Sequence, residues 1–335
     1  MAAQVGSPAL ADASGNFYFA GLTVNAVDPN GNLRWKYPLG KNLDMGTETV
    51  YASRMLLSPD GGLYVSASDG FLHVINSADG KGRFKKELAT SQSYRAPLLT
   101  AGIGDTFFLW AGTSNTGSAP YDAVTGQAFA APTVDGKPVT IFGATFDGLL
   151  ADSAEIIGDR SELHTHFLNP CMEVVWSLPK ASGSWYVALV RHDNTLVVAN
   201  YPGNWVADQA FAYLYSAEGK ALLGPKPLQG YLTAAGADGT LYSVNCSASP
   251  STASVLTLHA YSSQLDEDWS LDLGAGCNMN AATLAGDGVM YITRGTQGER
   301  IELVALQTRS PGLAKSPKPT SGGMNNRRTG WLSAP

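Results

Sequence analysis

The segment Glu162-Leu163-His164-Thr165-His166 holds three side chains of the kind that bind zinc. On a strand, alternation places Glu162, His164 and His166 on one face. Two imidazoles and a carboxylate make a zinc ligand set. No other histidine lies close in sequence and no HExxH helix exists. The surroundings therefore favour a plain polar strand face. Asp28-Pro29-Asn30-Gly31-Asn32 has the oxygens of a calcium loop, but neither the twelve-residue ligand set nor the closing Glu. It reads as a hairpin turn. No GxSxG elbow, Walker A loop or GxGxxG fingerprint occurs, so serine-hydrolase, NTPase and dinucleotide chemistry have no residues to use.

Composition narrows the elements that must position these residues. Charged residues make up 15% of the 335 and glycines number 37, against a usual quarter and about 7%. That balance disfavours long exposed helices and favours many strands with tight turns. A net charge of −6 offers no basic footprint, so nucleic acid is not an expected partner. No run of about eighteen apolar residues exists, so no membrane insertion is expected.

One pattern returns along the chain. It has a strand of small and aliphatic residues, an Asp/Gly turn, and a strand ending near a Tyr. A loop, a third strand, a second turn and often a Trp or Phe follow. The first copy reads Ser7-Pro8-Ala9-Leu10-Ala11-Asp12, Gly15-Asn16-Phe17-Tyr18, Val24-Asn25-Ala26-Val27-Asp28 and Gly31-Asn32-Leu33-Arg34-Trp35. The second turns at Asp60-Gly61 and Asp79-Gly80 and closes on Phe84. Later copies turn at Asp147-Gly148, Asp193-Asn194, Asp238-Gly239 and Asp287-Gly288, and two close on Trp176 and Trp269. The period of roughly 46 residues falls in the range of propeller blades. Asp-Gly steps supply the positive φ of two-residue hairpins, and the Val, Leu, Tyr and Phe runs suit pleated strands. The expected fold is all-β: a seven-bladed β-propeller of four-stranded antiparallel blades over residues 1–310. A tail, 311–335, braces or closes the ring. Residues 312–318 or Ala3–Val5 would cover the open edge of the last blade, and Trp331 would anchor the rim.

The repeat resembles the pyrroloquinoline-quinone type of propeller repeat. Ser316-Pro317-Lys318-Pro319 with Gly322-Gly323-Met324-Asn325-Asn326-Arg327-Arg328-Thr329-Gly330 is similar to a closing segment common in such bacterial propellers, with Lys318 where Trp is usual. The resemblance implies one of two branches. Quinoprotein dehydrogenases are longer, usually eight-bladed, and bind the quinone with calcium or a lanthanide. This chain is short for that branch, lacks a vicinal cysteine pair and shows no acidic cluster, so no cofactor is expected. The other branch holds non-catalytic envelope propellers, including the BamB-type scaffold of outer-membrane protein assembly.

On that frame, loops between second and third strands share a face with the connections between blades. Cys246 and Cys277 then fall on one face of neighbouring blades and are candidates for a disulfide, while Cys171 lies in a turn of the opposite face and stays free. A disulfide implies a periplasmic or extracellular home. Met1-Ala2-Ala3 runs directly into repeat-like sequence, so the chain is read either as one whose leader is absent or as cytoplasmic.

The same face collects aromatics before the inner strands, at Tyr51, Tyr94, Tyr186 and Tyr231, with Arg54 and Arg95 beside them. The loops after strand two add Tyr201 and Trp205. Aromatics with a few Arg at a concave mouth suit binding, and the same tyrosines also suit packing between blades. The expectation is a monomeric, non-enzymatic binding or scaffold propeller that takes a protein, peptide or glycan. The alternative is a lyase, hydrolase or cyclase using polar residues near the axis: His192, Asp193, Arg54 and Arg95.

Overall fold

The computed structural model describes residues 9–12, 14, 16–20, 23–39, 52–58, 60–67, 71–87, 98–101, 106–110, 118–122, 125, 127–128, 130, 132–157, 160–178, 184–201, 210–247, 255–276, 282–284, 287–294 and 302–316. Among these residues, five sheets have four strands each, in sequence order. The first holds β1 (Ala9–Ala11), β2 (Phe17–Ala20), β3 (Thr23–Val27) and β4 (Leu33–Pro38). The second holds β5 (Ala52–Leu57), β6 (Gly62–Ala67), β7 (Phe71–Asn76) and β8 (Gly82–Glu87). A third sheet shows three strands, β9 (Leu98–Ala101), β10 (Thr106–Trp110) and β11 (Ser118–Asp122), and a small hairpin follows, β12 (Thr133–Val134) and β13 (Lys137–Pro138). The fourth sheet holds β14 (Thr140–Ala144), β15 (Leu149–Ile157), β16 (Arg160–Leu168) and β17 (Val174–Ser177). The fifth holds β18 (Ser184–Val190), β19 (Leu196–Tyr201), β20 (Ala210–Tyr215) and β21 (Ala221–Leu228). The sixth holds β22 (Tyr231–Ala235), β23 (Leu241–Ser247), β24 (Val255–Tyr261) and β25 (Glu267–Ala275). The last shows three strands, β26 (Ala282–Leu284), β27 (Val289–Arg294) and β28 (Glu302–Gln307).

The chain divides into two compact units. One comprises the described residues through Ala154 with Leu168–Val174; the other comprises Glu155–Phe167 and the described residues from Val175 onward. Each has its own core. Tyr18, Val24, Trp35, Met55, Leu63 and Ile75 cluster in the first unit. Leu189, Val197, Tyr201, Leu214, Leu232 and Leu265 cluster in the second. Within a sheet, burial falls from the inside outward. Every residue of the second strands β6 and β19 is buried, while the fourth strands β8 and β25 are mostly exposed. A strand apolar on both faces needs cover on both faces, which explains runs such as Leu196-Val197-Val198-Ala199.

The turns differ from the two-residue hairpins expected. Ser58 N donates to Gly62 O and Gly61 N to Ser58 O. The same pair of bonds recurs at Asp28/Asn32, Arg191/Thr195, Ser216/Lys220, Gly236/Thr240 and Ser262/Asp266. Three residues lie inside each hydrogen-bonded pair, and the third has positive φ: Gly31, Gly61, Asn194, Gly219, Gly239 and Leu265. This is a type I turn followed by a left-handed residue, which restores the strand twist that a type I turn alone would splay. The Asp serves as an acceptor. Asp60, Asp193, Asp238 and Asp287 each receive the amide two residues on.

The described part of the tail meets a different strand from the one expected. Residues 312–314 do not line the edge of β28. Ala237 N donates to Gly312 O and Ala314 N to Ala235 O, each at 2.8 Å, and Gly236 and Leu313 form an antiparallel bridge. Ser310 Oγ donates to Asp238 Oδ1 at 3.0 Å, and Ser316 Oγ donates to Val190 O. The strap therefore ties the ends of the first strands β22 and β18. Those ends offer both an acceptor, Ala235 O, and a donor, Ala237 N, so an extended segment there pairs in both senses. Ala3–Val5 and Trp331 lie outside the described residues.

Candidate functional site

Each sheet has two unlike ends. Connections between first and second strands, and between third and fourth, span four or five residues throughout the described four-stranded sheets. At the other end they range from two residues between β21 and β22 to thirteen between β4 and β5. The regular end is locked by the turn bonds above. The variable end, called here the loop end, is where length and sequence are free to serve a ligand.

Several expected site residues, Tyr51, Tyr94, Arg95, Trp205 and Cys277, lie outside the described residues. Arg54 sits on β5 opposite Ser66, and Tyr186 on β18 opposite Ala199. Tyr201 is fully buried, and its hydroxyl donates to Gly230 O at 3.2 Å. Its ring stacks on Tyr231 at 5.2 Å between centroids. Tyr201 is thus a packing residue with no surface to offer a ligand, a correction to the expected site. Strand β19 is buried on both faces, so neither side of it would expose the ring. Tyr231 is half-buried on the same core.

His164 and His166 lie on β16, as does Glu162. His166 is buried, with Nδ1 hydrogen-bonded to Ser177 Oγ at 2.8 Å. Among the described residues no group of three His, Cys, Asp or Glu is placed to hold a metal ion. His166 instead belongs to a repeat position, three residues before the polar residue that opens the turn after the third strand. His73 and His259 occupy the same position and are equally buried. His73 Nδ1 meets Tyr37 Oη at 3.2 Å and His259 Nδ1 meets Glu267 Oε1 at 2.9 Å. Aligning the copies on their turns exposes this histidine column in sequence.

His192 and Asp193 sit in the β18–β19 turn, at the end opposite the loops. Asp193 accepts from Thr195 N at 3.1 Å and lies 3.4 Å from Arg191. Burial alone would raise its carboxyl, but the Thr195 amide and the Arg191 charge outweigh that and hold it below the ordinary carboxylate value. Its bonds are those of a turn acceptor. Cys246 on β23 is disulfide-bonded, and Cys171 is an exposed free thiol.

The loop end of the fifth sheet carries a group that the sequence reading passed over. Trp185 lies opposite Asn200, and Asn200 lies opposite Phe211. Tyr213 follows on the same face of β20, its ring 4.7 Å from that of Trp185. Burial raises the Tyr213 hydroxyl above its ordinary pKa. The signal was one residue away: Tyr186 marks the approach to the inner strand, but its neighbour Trp185 takes the face shared with Asn200.

Sheets of antiparallel strands in sequence order, buried inside and exposed outside, are the units of one architecture, and solved structures share it. The fold is a β-propeller. The chain is similar to hydrazine synthase of Kuenenia stuttgartiensis, at 12% identity over 92% of this chain and 98% of that one, with a TM-score of 0.59. It is similar to BamB of Moraxella catarrhalis at 16% identity, over 90% and 87% of the two chains, with a TM-score of 0.50. It is also similar to the quinohemoprotein alcohol dehydrogenase of Comamonas testosteroni at 14% identity, over 96% and 67%, with a TM-score of 0.57. At such identities the likeness concerns the fold alone, a propeller of antiparallel four-stranded blades, five of which are complete among the described residues. No family model and no curated protein matches the sequence.

Proposed function

We propose that this propeller has seven blades and is a non-enzymatic binding or scaffold protein, taking a protein, peptide or glycan at its loop ends. The observation that carries the reading is the contrast between the two ends of the blades. Turn ends are uniform in length, closed by backbone bonds, and in the fifth and sixth blades overlaid by the strap of residues 308–316. Loop ends vary in length and present half-buried aromatics, Trp185, Tyr213 and Tyr231. Such rings give contact area at little entropic cost. The disulfide at Cys246, which we assign to the pair Cys246–Cys277, supports an oxidising home in the cell envelope or outside the cell. That setting agrees with the envelope branch of the quinone-type propellers.

The test is to screen the immobilised chain against peptide and glycan arrays and map any hit with two variants. Tyr186→Ala with Tyr231→Ala should weaken binding roughly tenfold or more while the protein still melts cooperatively. Lys81→Ala, in a turn at the other end, should leave binding unchanged. Binding lost in Lys81→Ala and kept in the tyrosine pair overturns the reading.

A further inference from the structure

We infer that the loop end of the fifth blade binds a neutral sugar ring, stacked on Trp185, Tyr213 and Phe211 and read by Trp185 Nε1 and Asn200 Oδ1. This rests on the loop-end reading and names the ligand class at one blade.

The row is defined by register. Trp185 faces Asn200 across β18 and β19, Asn200 faces Phe211 across β19 and β20, and Phe211 faces Pro227 across β20 and β21. Directly opposed residues share a face, so these four side chains lie in one line across the sheet. Tyr213, two residues along β20, continues that face and packs on Trp185 at 4.7 Å. Phe211 is left 38% exposed.

Among the described residues, two polar atoms on this face are buried without a hydrogen-bond partner: Trp185 Nε1, a donor, and Asn200 Oδ1, an acceptor. Asn200 is 7% exposed. Buried polar groups are nearly always paired, so two orphans on neighbouring residues ask for a common partner. A hydroxyl both donates and accepts, and satisfies the pair with one group.

The sixth blade repeats the Asn, at Asn245, but the second blade shows that the fold does not require this polarity. Counted from the turn between first and second strands, the residue of the second blade that corresponds to Asn200 is Ala67, and it faces Ala52. Alanine fills the place without needing any partner.

The described row suits an uncharged ligand. Among the described residues the row contains no ionisable cation or carboxylate. Lys226, opposite Ala212, takes the alternate face and pairs with Asp266 at 2.6 Å. Aromatic rings flanking one donor and one acceptor match a pyranose, whose C–H faces stack and whose edge hydroxyls exchange hydrogen bonds. A charged ligand would lose its hydration here with no counter-charge among the described residues of the row.

The test uses the full chain with a panel of neutral oligosaccharides: β-1,4- and α-1,4-linked hexoses, β-1,4-linked pentoses and N-acetylhexosamines. Tryptophan fluorescence and calorimetry read binding, and saturation-transfer NMR reads which sugar protons touch the protein. At least one member of the panel should saturate in the low-millimolar range or tighter. Trp185→Phe, which keeps an aromatic ring and removes the donor, and Asn200→Leu, which removes the acceptor, should each weaken it roughly tenfold with the melting transition retained. Trp185→Phe alone decides the matter if Asn200→Leu fails to fold. No saturation by any sugar up to about 10 mM, a regime weaker than specific recognition requires, overturns the inference. Sugar binding lost in Tyr231→Ala but kept in Trp185→Phe also overturns it, and leaves the loop-end reading standing.

Discussion

The indole Nε1 of Trp176 donates to the main-chain carbonyl of Ala217 at 2.6 Å, joining the fourth strand of one blade to a turn of the next. Trp35 makes the same bond from the first blade to Ser77 O of the second, at 2.9 Å. In both cases the ring lies over the left-handed glycine of the turn it reaches. A Cβ on Gly219 would meet Trp176 Cδ2 at 2.6 Å, and one on Gly80 would meet Trp35 Cδ2 at 2.7 Å. These glycines are therefore required twice, for φ and for the ring. The sixth blade shows the converse. Its turn has Leu265 in the left-handed position, with φ of 61°. The preceding blade offers Leu223 opposite Leu214, where a Trp stands in the first and fourth blades. Leu265 is buried in the cluster on which Leu223 packs, and Arg191 Nη1 donates to Ser263 O at 3.2 Å.

The first prediction follows from that coupling. Gly219→Ala combines backbone strain with a clash against the Trp176 ring and should destabilise by about 2–4 kcal/mol. In a Trp176→Leu background the same change should cost less, because the clash is gone. Equal costs in the two backgrounds, measured by urea unfolding, would show that only φ matters.

The strap gives a second. Leu313 is 5% exposed and packs with Leu284, Met290 and Tyr242. Leu313→Ala should cost about 2–3 kcal/mol. Truncation after Ser310 should lower Tm further, since the bonds to Ala235 and Ala237 go with it. An unchanged melt in the truncated chain would reduce the strap to a linker.

A third concerns acid. Burial would raise the Asp60 carboxyl, but the Ser58 hydroxyl, Arg83 and the Gly62 amide outweigh it and hold the pKa below its ordinary value. Asp12 is likewise lowered, against its burial, by Asn16, Tyr18 and Ser14. The folded state thus releases these protons more readily than the unfolded state. Their stabilisation is complete above the ordinary carboxylate value near pH 4 and is lost as pH falls through the depressed values. Asp60→Asn should be less stable than the parent at pH 7, and the gap should narrow below pH 4. A gap independent of pH would remove the charge from the account.

Thiol chemistry supplies the fourth. With Cys246 disulfide-bonded and Cys171 free, denatured unreduced protein should titrate one thiol per chain and reduced protein three. Three thiols before reduction would remove the oxidised state and the support it lends to an envelope setting.

Much of the architecture was legible in the chain because it is written in local physics. Asp-Gly steps mark turns through φ, Leu196-Val197-Val198-Ala199 marks a strand covered on both faces, and Trp35, Trp176 and Trp269 mark fourth strands. What the sequence did not show depends on contacts between segments far apart in it. Turn residues announce a reversal, but the length of the turn is set by how the twists of the flanking strands meet. Tyr201 and Tyr231 look alike in sequence, and one is buried because β19 is covered on both faces. The pairing of residues 312–314 with β22 depends on acceptors left at the end of another blade. Trp185, Asn200 and Phe211 sit on three strands, and only strand register sets them in one row, because alternation fixes which face a residue takes and pairing fixes which neighbours it meets there.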